Sequence, residues 1–193
     1  MSSKYLNKEV RAFTTRNKGL AIELRNEVLV CKAFDPTITE EKDEPEHRKY
    51  VGLWDTGATA TGITPRIVKE LGLKPSGAVN VSGVHGTKVV PTYYINLLLP
   101  NNVSIYGIPA TEVESIGAAD ILIGMDIIRF GDFAVSNFND ATVFSFRTPS
   151  IETIDFTNEI RQVASKPSQK KTTSARQERN RRKRQKREKK RNS

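Results

Sequence analysis

Cysteine is nearly absent from this chain of 193 residues, with Cys31 its one representative. One thiol closes no internal disulfide, so the fold must be held by buried apolar side chains. Cys31 itself lies in an apolar stretch and reads as a small core residue. Histidine is as scarce, with His47 and His85 only, and no Cys/His cluster has the spacing of metal ligands. The expectation is therefore no metal and no cofactor. No run approaches the roughly 18 apolar residues that span a bilayer, and the first residues hold no apolar stretch of the signal-peptide kind. A cytoplasmic protein without a membrane span is expected.

Apolar residues make up 37% of the chain, few for a globular domain, and the end of the chain explains the deficit. Residues 166–193 hold 14 Lys and Arg against Glu178 and Glu188, with Ala175 as their one aliphatic residue. The other residues hold 17 basic and 20 acidic side chains, so the net charge of +9 belongs to the tail. A segment this basic and without apolar periodicity buries no core and is expected to be disordered when free. Its partners by charge are polyanions, bound through phosphate contacts that weaken with salt. Arg181, Arg182, Lys183, Arg184, Lys186 and Arg187 are its densest cluster and the expected nucleic-acid-binding residues. The tail lacks aromatic side chains on which bases stack, so binding without sequence preference is expected. A purely solubilising role is the plainer reading. The expected organisation is a domain over 1–148, a linker or extra strand over 149–165, and the tail over 166–193.

The body reads mostly as strands. Residues 10–15 and 19–34 look like two strands joined by a turn at 16–19, and 35–48 like an exposed acidic loop. Residues 48–54 form an apolar approach to Asp55-Thr56-Gly57-Ala58-Thr59. A helix follows, with Thr64 at its N-cap, Pro65 in its first turn and Gly72 at its stop. Strands are expected near 79–84, 88–99 and 102–113, the first two forming a hairpin between Gly83 and Gly86. Residues 121–123 are an apolar run closed by Gly124, which reads as a short strand buried on both faces. A short helix over 126–130, ended by Gly131, and a last hairpin around Asn139 and Asp140 complete the body.

Asp and Gly are ordinary turn residues, so Asp55-Thr56-Gly57 alone reads first as a strand ending in a turn. The order of the three signals says more: the Asp-Thr-Gly-Ala loop after a buried strand, the Gly-bracketed hairpin, and the Ile121-Leu122-Ile123-Gly124 segment before a short helix. In these motifs, over roughly residues 10–148, the chain resembles the retropepsin-like aspartic proteases, and their bacterial and phage members most closely. The resemblance implies a mainly β fold, an acid-protease barrel with one lobe per chain and one or two short helices, working as a homodimer. It implies an aspartic endopeptidase in which Asp55 of two chains activates water against a peptide bond. Thr56 would bond across to the partner's main chain, and Gly57 would let backbone N–H groups approach the carboxylate. Ala58, Thr59, Val84, His85, Gly86, Ile123 and Gly124 are the expected substrate-binding residues, Ile121 to Ile123 the wall behind the loop, and the Gly83–Gly86 hairpin the flap. Apolar pockets from Ile63, Val84, Val89, Pro91 and Ile123 would favour apolar substrate side chains. The substrate is expected to be a peptide or protein bound by strand addition. Asp126 reads as a helix cap or an ion-pair partner, and Trp54 as a subsite wall or core filler. The alternative is a catalytically silent dimer of the same fold that binds nucleic acid or acts as a scaffold.

Overall fold

The computed structural model describes residues 9–83, 86–158 and 160. Ten strands and two helices appear among them: β1 (Arg11–Arg16), β2 (Leu24–Lys32), β3 (Arg48–Trp54), β4 (Gly62–Ile63), α1 (Pro65–Leu71), β5 (Gly77–Gly83), β6 (Gly86–Leu99), β7 (Val103–Glu112), β8 (Ile121–Ile123), α2 (Met125–Ile128), β9 (Asp132–Phe138) and β10 (Ala141–Thr148).

Six strands close on themselves in the order β2-β3-β8-β4-β7-β6, and β6 returns to pair with β2 through Leu29↔Leu98 and Val30↔Leu97. Closure leaves these six without a free edge. The fold is mainly β, a closed six-strand barrel with short helices. Strand β5 hangs from β6 as a hairpin, with Gly83 paired to Gly86. The remaining strands form a separate sheet, β1-β10-β9. Strands β1 and β2 are consecutive in sequence but do not pair: β1 takes β10 as its partner, with Phe13 opposite Phe146. The hairpin of β9 and β10 turns on Asn139 and Asp140, both left-handed at φ 54° and 56°, the backbone that a two-residue turn matching strand twist requires.

Packing explains these pairings. Trp54, at the end of β3, stacks on Phe133 of β9 with ring centroids 5.2 Å apart and planes 10° apart. Phe146 lies 5.2 Å away, and Phe13 and Phe144 complete the aromatic cluster. The cluster joins the small sheet to the barrel. Trp54 is buried, and its indole N–H donates to Asn26 Oδ1 at 2.7 Å, so its polar atom is satisfied inside the core. Of the two roles expected for Trp54, the geometry selects core filler. Cys31 is fully buried, and burial pushes its thiol pKa up to about 12.

Helix α1 starts and stops as its sequence predicts. Thr64 has the extended N-cap backbone, and Gly72 ends the helix at φ 57° with its N–H on Lys69 O. The Thr64 hydroxyl makes no cap bond and has no partner. A polar chain fixes the helix to the barrel instead. Tyr50 Oη donates to Glu70, Arg66 donates to Glu70 and Asp120, and Asp120 accepts the Val51 N–H. These bonds hold the Glu70 carboxyl below its ordinary pKa, with Arg66 the main cause and Tyr50 next.

Residues 150–152 are tied to the small sheet. Asp132 accepts bonds from Ser150 and Ile151, and Arg147 bonds both Asp132 and Glu152. The chain divides into two compact units, residues 1–153 and 154–193. Among the described residues of the second unit, 156–158 form a helical turn, and Asp155 accepts the N–H groups of Thr157 and Asn158. No strand forms over the described part of 149–160. The segment 161–193, with Arg181, Arg182, Lys183, Arg184, Lys186 and Arg187, lies outside the described residues.

Candidate active site

Strand alternation puts Val51, Leu53 and Asp55 on one face of β3, and the buried residues Tyr50, Gly52 and Trp54 on the other. Asp55 follows the last residue of β3, and β8 runs parallel beside it. The Asp55 N–H donates to Ile123 O at 3.0 Å, so β8 fixes where the strand ends and the loop begins.

The loop folds back on its own carboxylate. Gly57 N–H donates to Asp55 Oδ1 at 2.8 Å, and Ala58 N–H donates to Asp55 O at 3.3 Å. A Cβ at position 57 would lie 3.2 Å from Asp55 Oδ1, so glycine gives the amide its close approach. Asp55 is half-buried, and Thr56, Gly57 and Thr59 are exposed. The Thr56 side chain is therefore open to solvent in the single chain. Ala58 is half-buried, and its carbonyl accepts the Met125 N–H at 2.8 Å.

The segment after β8 is the floor of this loop. A Cβ on Gly124 would lie 2.7 Å from the backbone of Ala60, too close for any side chain. Asp126 is no ion-pair partner of any described base. It accepts the Thr61 N–H and the Thr61 hydroxyl, each at 2.9 Å. Thr61 is fully buried. Neither Thr61 nor this role of Asp126 was visible in the sequence, because the two lie 65 residues apart.

The other expected site residues divide by face. Ile63 and Ile123 are fully buried, so their side chains belong to the core and do not wall a pocket in the single chain. Leu122, the register partner of Leu53, is half-buried on the opposite side of β8 from Ile123. Strand period places it on the face of Asp55, a placement that follows only from its register with β3. Val89 is 72% exposed and Pro91 half-buried, both on β6 of the hairpin. Gly86 begins β6. Val84 and His85 lie outside the described residues. Among the described residues, no group of His, Cys, Asp and Glu is placed to hold a metal ion, and no helix is long and apolar enough to cross a membrane.

Residues 46–129 match the family described as gag-polyprotein putative aspartyl protease. That span runs from the approach to β3, through the Asp55 loop, to the end of α2. No curated protein sequence matches the chain. Among solved structures, a retropepsin-like aspartic protease from Rickettsia conorii is similar with a TM-score of 0.44 at 13% identity, covering 72% of this chain and 96% of that one. The protease of simian foamy virus (mac), solved in solution, has a TM-score of 0.36 at 15% identity, covering 54% of this chain and 91% of that one. Residues 46–129, which hold both the Asp-Thr-Gly loop and the strand and helix beneath it, are thus the part of the chain that is similar to the gag-polyprotein aspartyl proteases.

Proposed function

We propose that the protein is an aspartic endopeptidase whose active unit contains two copies of the chain, each contributing one Asp55. The observation that carries this reading is the Asp55 carboxylate at the end of a buried strand, half-exposed and held by the Gly57 amide. A single Asp-Thr-Gly loop supplies one carboxyl group per chain, and the chemistry needs two. Two carboxyls about 3 Å apart share one proton, because they do not both ionise at that distance. The ionised one takes a proton from water, whose oxygen attacks the peptide carbonyl. The protonated one gives its proton to the carbonyl oxygen. Collapse of the tetrahedral species then passes a proton to the leaving amine and breaks the C–N bond. The pair titrates as a unit, and neither pKa belongs to one residue.

The exposed Thr56 is placed by sequence beside the dyad and is the contact we assign to the partner's loop. Leu53 and Leu122, on the face of Asp55, together with the exposed Val79, Val81 and Val89 of the β5–β6 hairpin, favour an extended substrate with apolar side chains. Ala58, Thr59 and Gly86 flank that path. The hairpin serves as a flap that closes over the substrate, with Val84 and His85 nearest its tip in sequence.

The basic tail is assigned the separate task of tethering the enzyme to nucleic acid or another polyanion, on the strength of its charge alone.

The test is cleavage of a diverse peptide pool from about pH 4 to 8, a scan towards loss of the proton a carboxyl pair shares, with Asp55→Asn alongside. Cleavage by the parent and none by the variant is the expected result. No cleavage by a folded, dimeric parent would overturn the reading and leave a silent dimer that binds through its tails.

A further inference from the structure

Three donors converge on the Asp126 carboxylate. Thr61 N–H reaches Oδ2 at 2.9 Å, Thr61 Oγ1–H reaches Oδ1 at 2.9 Å, and Ile127 N–H reaches Oδ1 at 3.0 Å. An ionised carboxylate only accepts, so it is the side chain that meets three donors without conflict. Bonds to it are about twice as strong as those between neutral groups. The Gly124 N–H adds a longer contact, 3.5 Å, to Thr61 Oγ1.

The segment from Asp55 to Thr61 is held at three points on residues 123–126, and β7 adds a fourth, the Thr111 N–H on Thr61 O at 3.0 Å. Asp55 N–H is on Ile123 O, Ala58 O takes Met125 N–H, and Thr61 is on Asp126. Between these points Thr56, Gly57, Thr59 and Ala60 are exposed. Of the four anchors, Thr61–Asp126 alone involves side chains, and Thr61 is fully buried there.

We infer that Asp126 is a positioning residue for Asp55: by clamping Thr61 it sets the path of the 55–61 loop, and through that loop the direction of the Asp55 carboxylate. It touches no substrate and does not act as the second acid. The kinetic consequence rests on the protease reading above, but the loop geometry is measured without any activity.

The experiment compares full-length Asp126→Asn, Thr61→Val and Thr61→Ser with the parent. An amide at position 126 sets an NH₂ group against a donor, and valine deletes the hydroxyl while keeping the branched shape. Serine keeps the hydroxyl. NMR titration of the Asp55 carboxyl and hydrogen exchange of the Gly57 and Thr61 amides are read first. Asp126→Asn and Thr61→Val are expected to move the Asp55 titration and to speed loop exchange about tenfold relative to the Ile95 amide in the barrel, the change that loss of one bond to a charged group brings. Thr61→Ser is expected to match the parent. In cleavage assays kcat is expected to fall about tenfold or more with KM changed little, since a misaimed carboxylate is felt at the chemical step. If Asp126→Asn fails to fold, Thr61→Val gives the same readouts. An unchanged Asp55 titration and unchanged loop exchange in a folded variant would overturn the inference. Shifted loop readouts in a protein whose parent cleaves no peptide would support the clamp while removing the protease reading.

Discussion

A methyl group added at Gly124 would sit 2.7 Å from both the carbonyl carbon and the oxygen of Ala60. Backbone on both sides leaves no flexible side chain to yield. Gly124→Ala is therefore expected to destabilise the fold by about 1–3 kcal/mol, the range for overpacking a filled site, and to displace the Asp55 loop. Denaturant melts combined with the Asp55 titration separate the two effects. Gly131 is tighter still. Its added Cβ would lie 1.8 Å from Arg147 O, so this glycine is required by the crossing of two backbones and not, as its sequence position implies, by the end of a helix. Cys31 presents the opposite case. Its sulfur is sealed in the core and its pKa stands at about 12, so the thiolate is scarce and inaccessible. A thiol reagent at neutral pH is expected to modify it only at the rate of unfolding, which hydrogen exchange of the core amides measures independently.

Among elements, the contact between β3 and the small sheet has the largest consequence for the site. Trp54 fills the space between them and lies next to Asp55 in the chain. Trp54→Ala is expected to destabilise by about 3–5 kcal/mol, as for other large aromatic truncations in cores, and to loosen the end of β3 from which the loop departs. Trp54→Phe keeps ring stacking but abandons Asn26, and its smaller loss would separate packing from the indole bond. The turn after β10 is held electrostatically. Ser150 chiefly, then Arg147 and the Ile151 amide, depress the Asp132 pKa. A depressed folded-state pKa gives stability that is present above the unfolded value, near 3.9, and that is lost as pH falls through the lower folded value. Asp132→Asn should therefore lower the melting temperature at neutral pH and flatten its fall below about pH 4. Equal acid sensitivity in parent and variant would show that the bond network contributes nothing.

For the whole molecule, the central expectation follows from stoichiometry. One chain carries one Asp55, so activity should rise faster than linearly with protein concentration near the dimer dissociation constant. Activity proportional to concentration in a chain shown by sedimentation to be monomeric would sink the two-chain mechanism. The tail makes a second prediction at this scale. Deleting residues 166–193 removes 14 basic side chains and should abolish salt-sensitive binding to nucleic acid while leaving peptide cleavage unchanged. Retention of binding would move the polyanion site onto the barrel.

The Asp55 loop, the helix from Pro65 to Gly72, the hairpin turn at Asn139 and Asp140 and the buried 121–123 strand were all legible in the amino-acid sequence. Each is written in local chemistry: a motif, a cap, a left-handed turn, an apolar run. The two-residue strand β4 was not legible, since Gly62 and Ile63 are too few to show a period. Nor was the division of strands between barrel and small sheet, because β1 finds its partner at β10 more than a hundred residues away. The same physics applies inside the site. Sequence marked Asp55 and Gly57, whose interaction spans two residues, and it marked Gly124 as a tight place without saying against what. It did not distinguish Leu122 from Ile123, because facing depends on which side of β8 the barrel closes. It did not join Asp126 to Thr61, since only the closed barrel brings β8 and α2 beneath the loop. Local backbone geometry is encoded residue by residue, whereas the pairing of distant polar groups exists only once the apolar strands have packed.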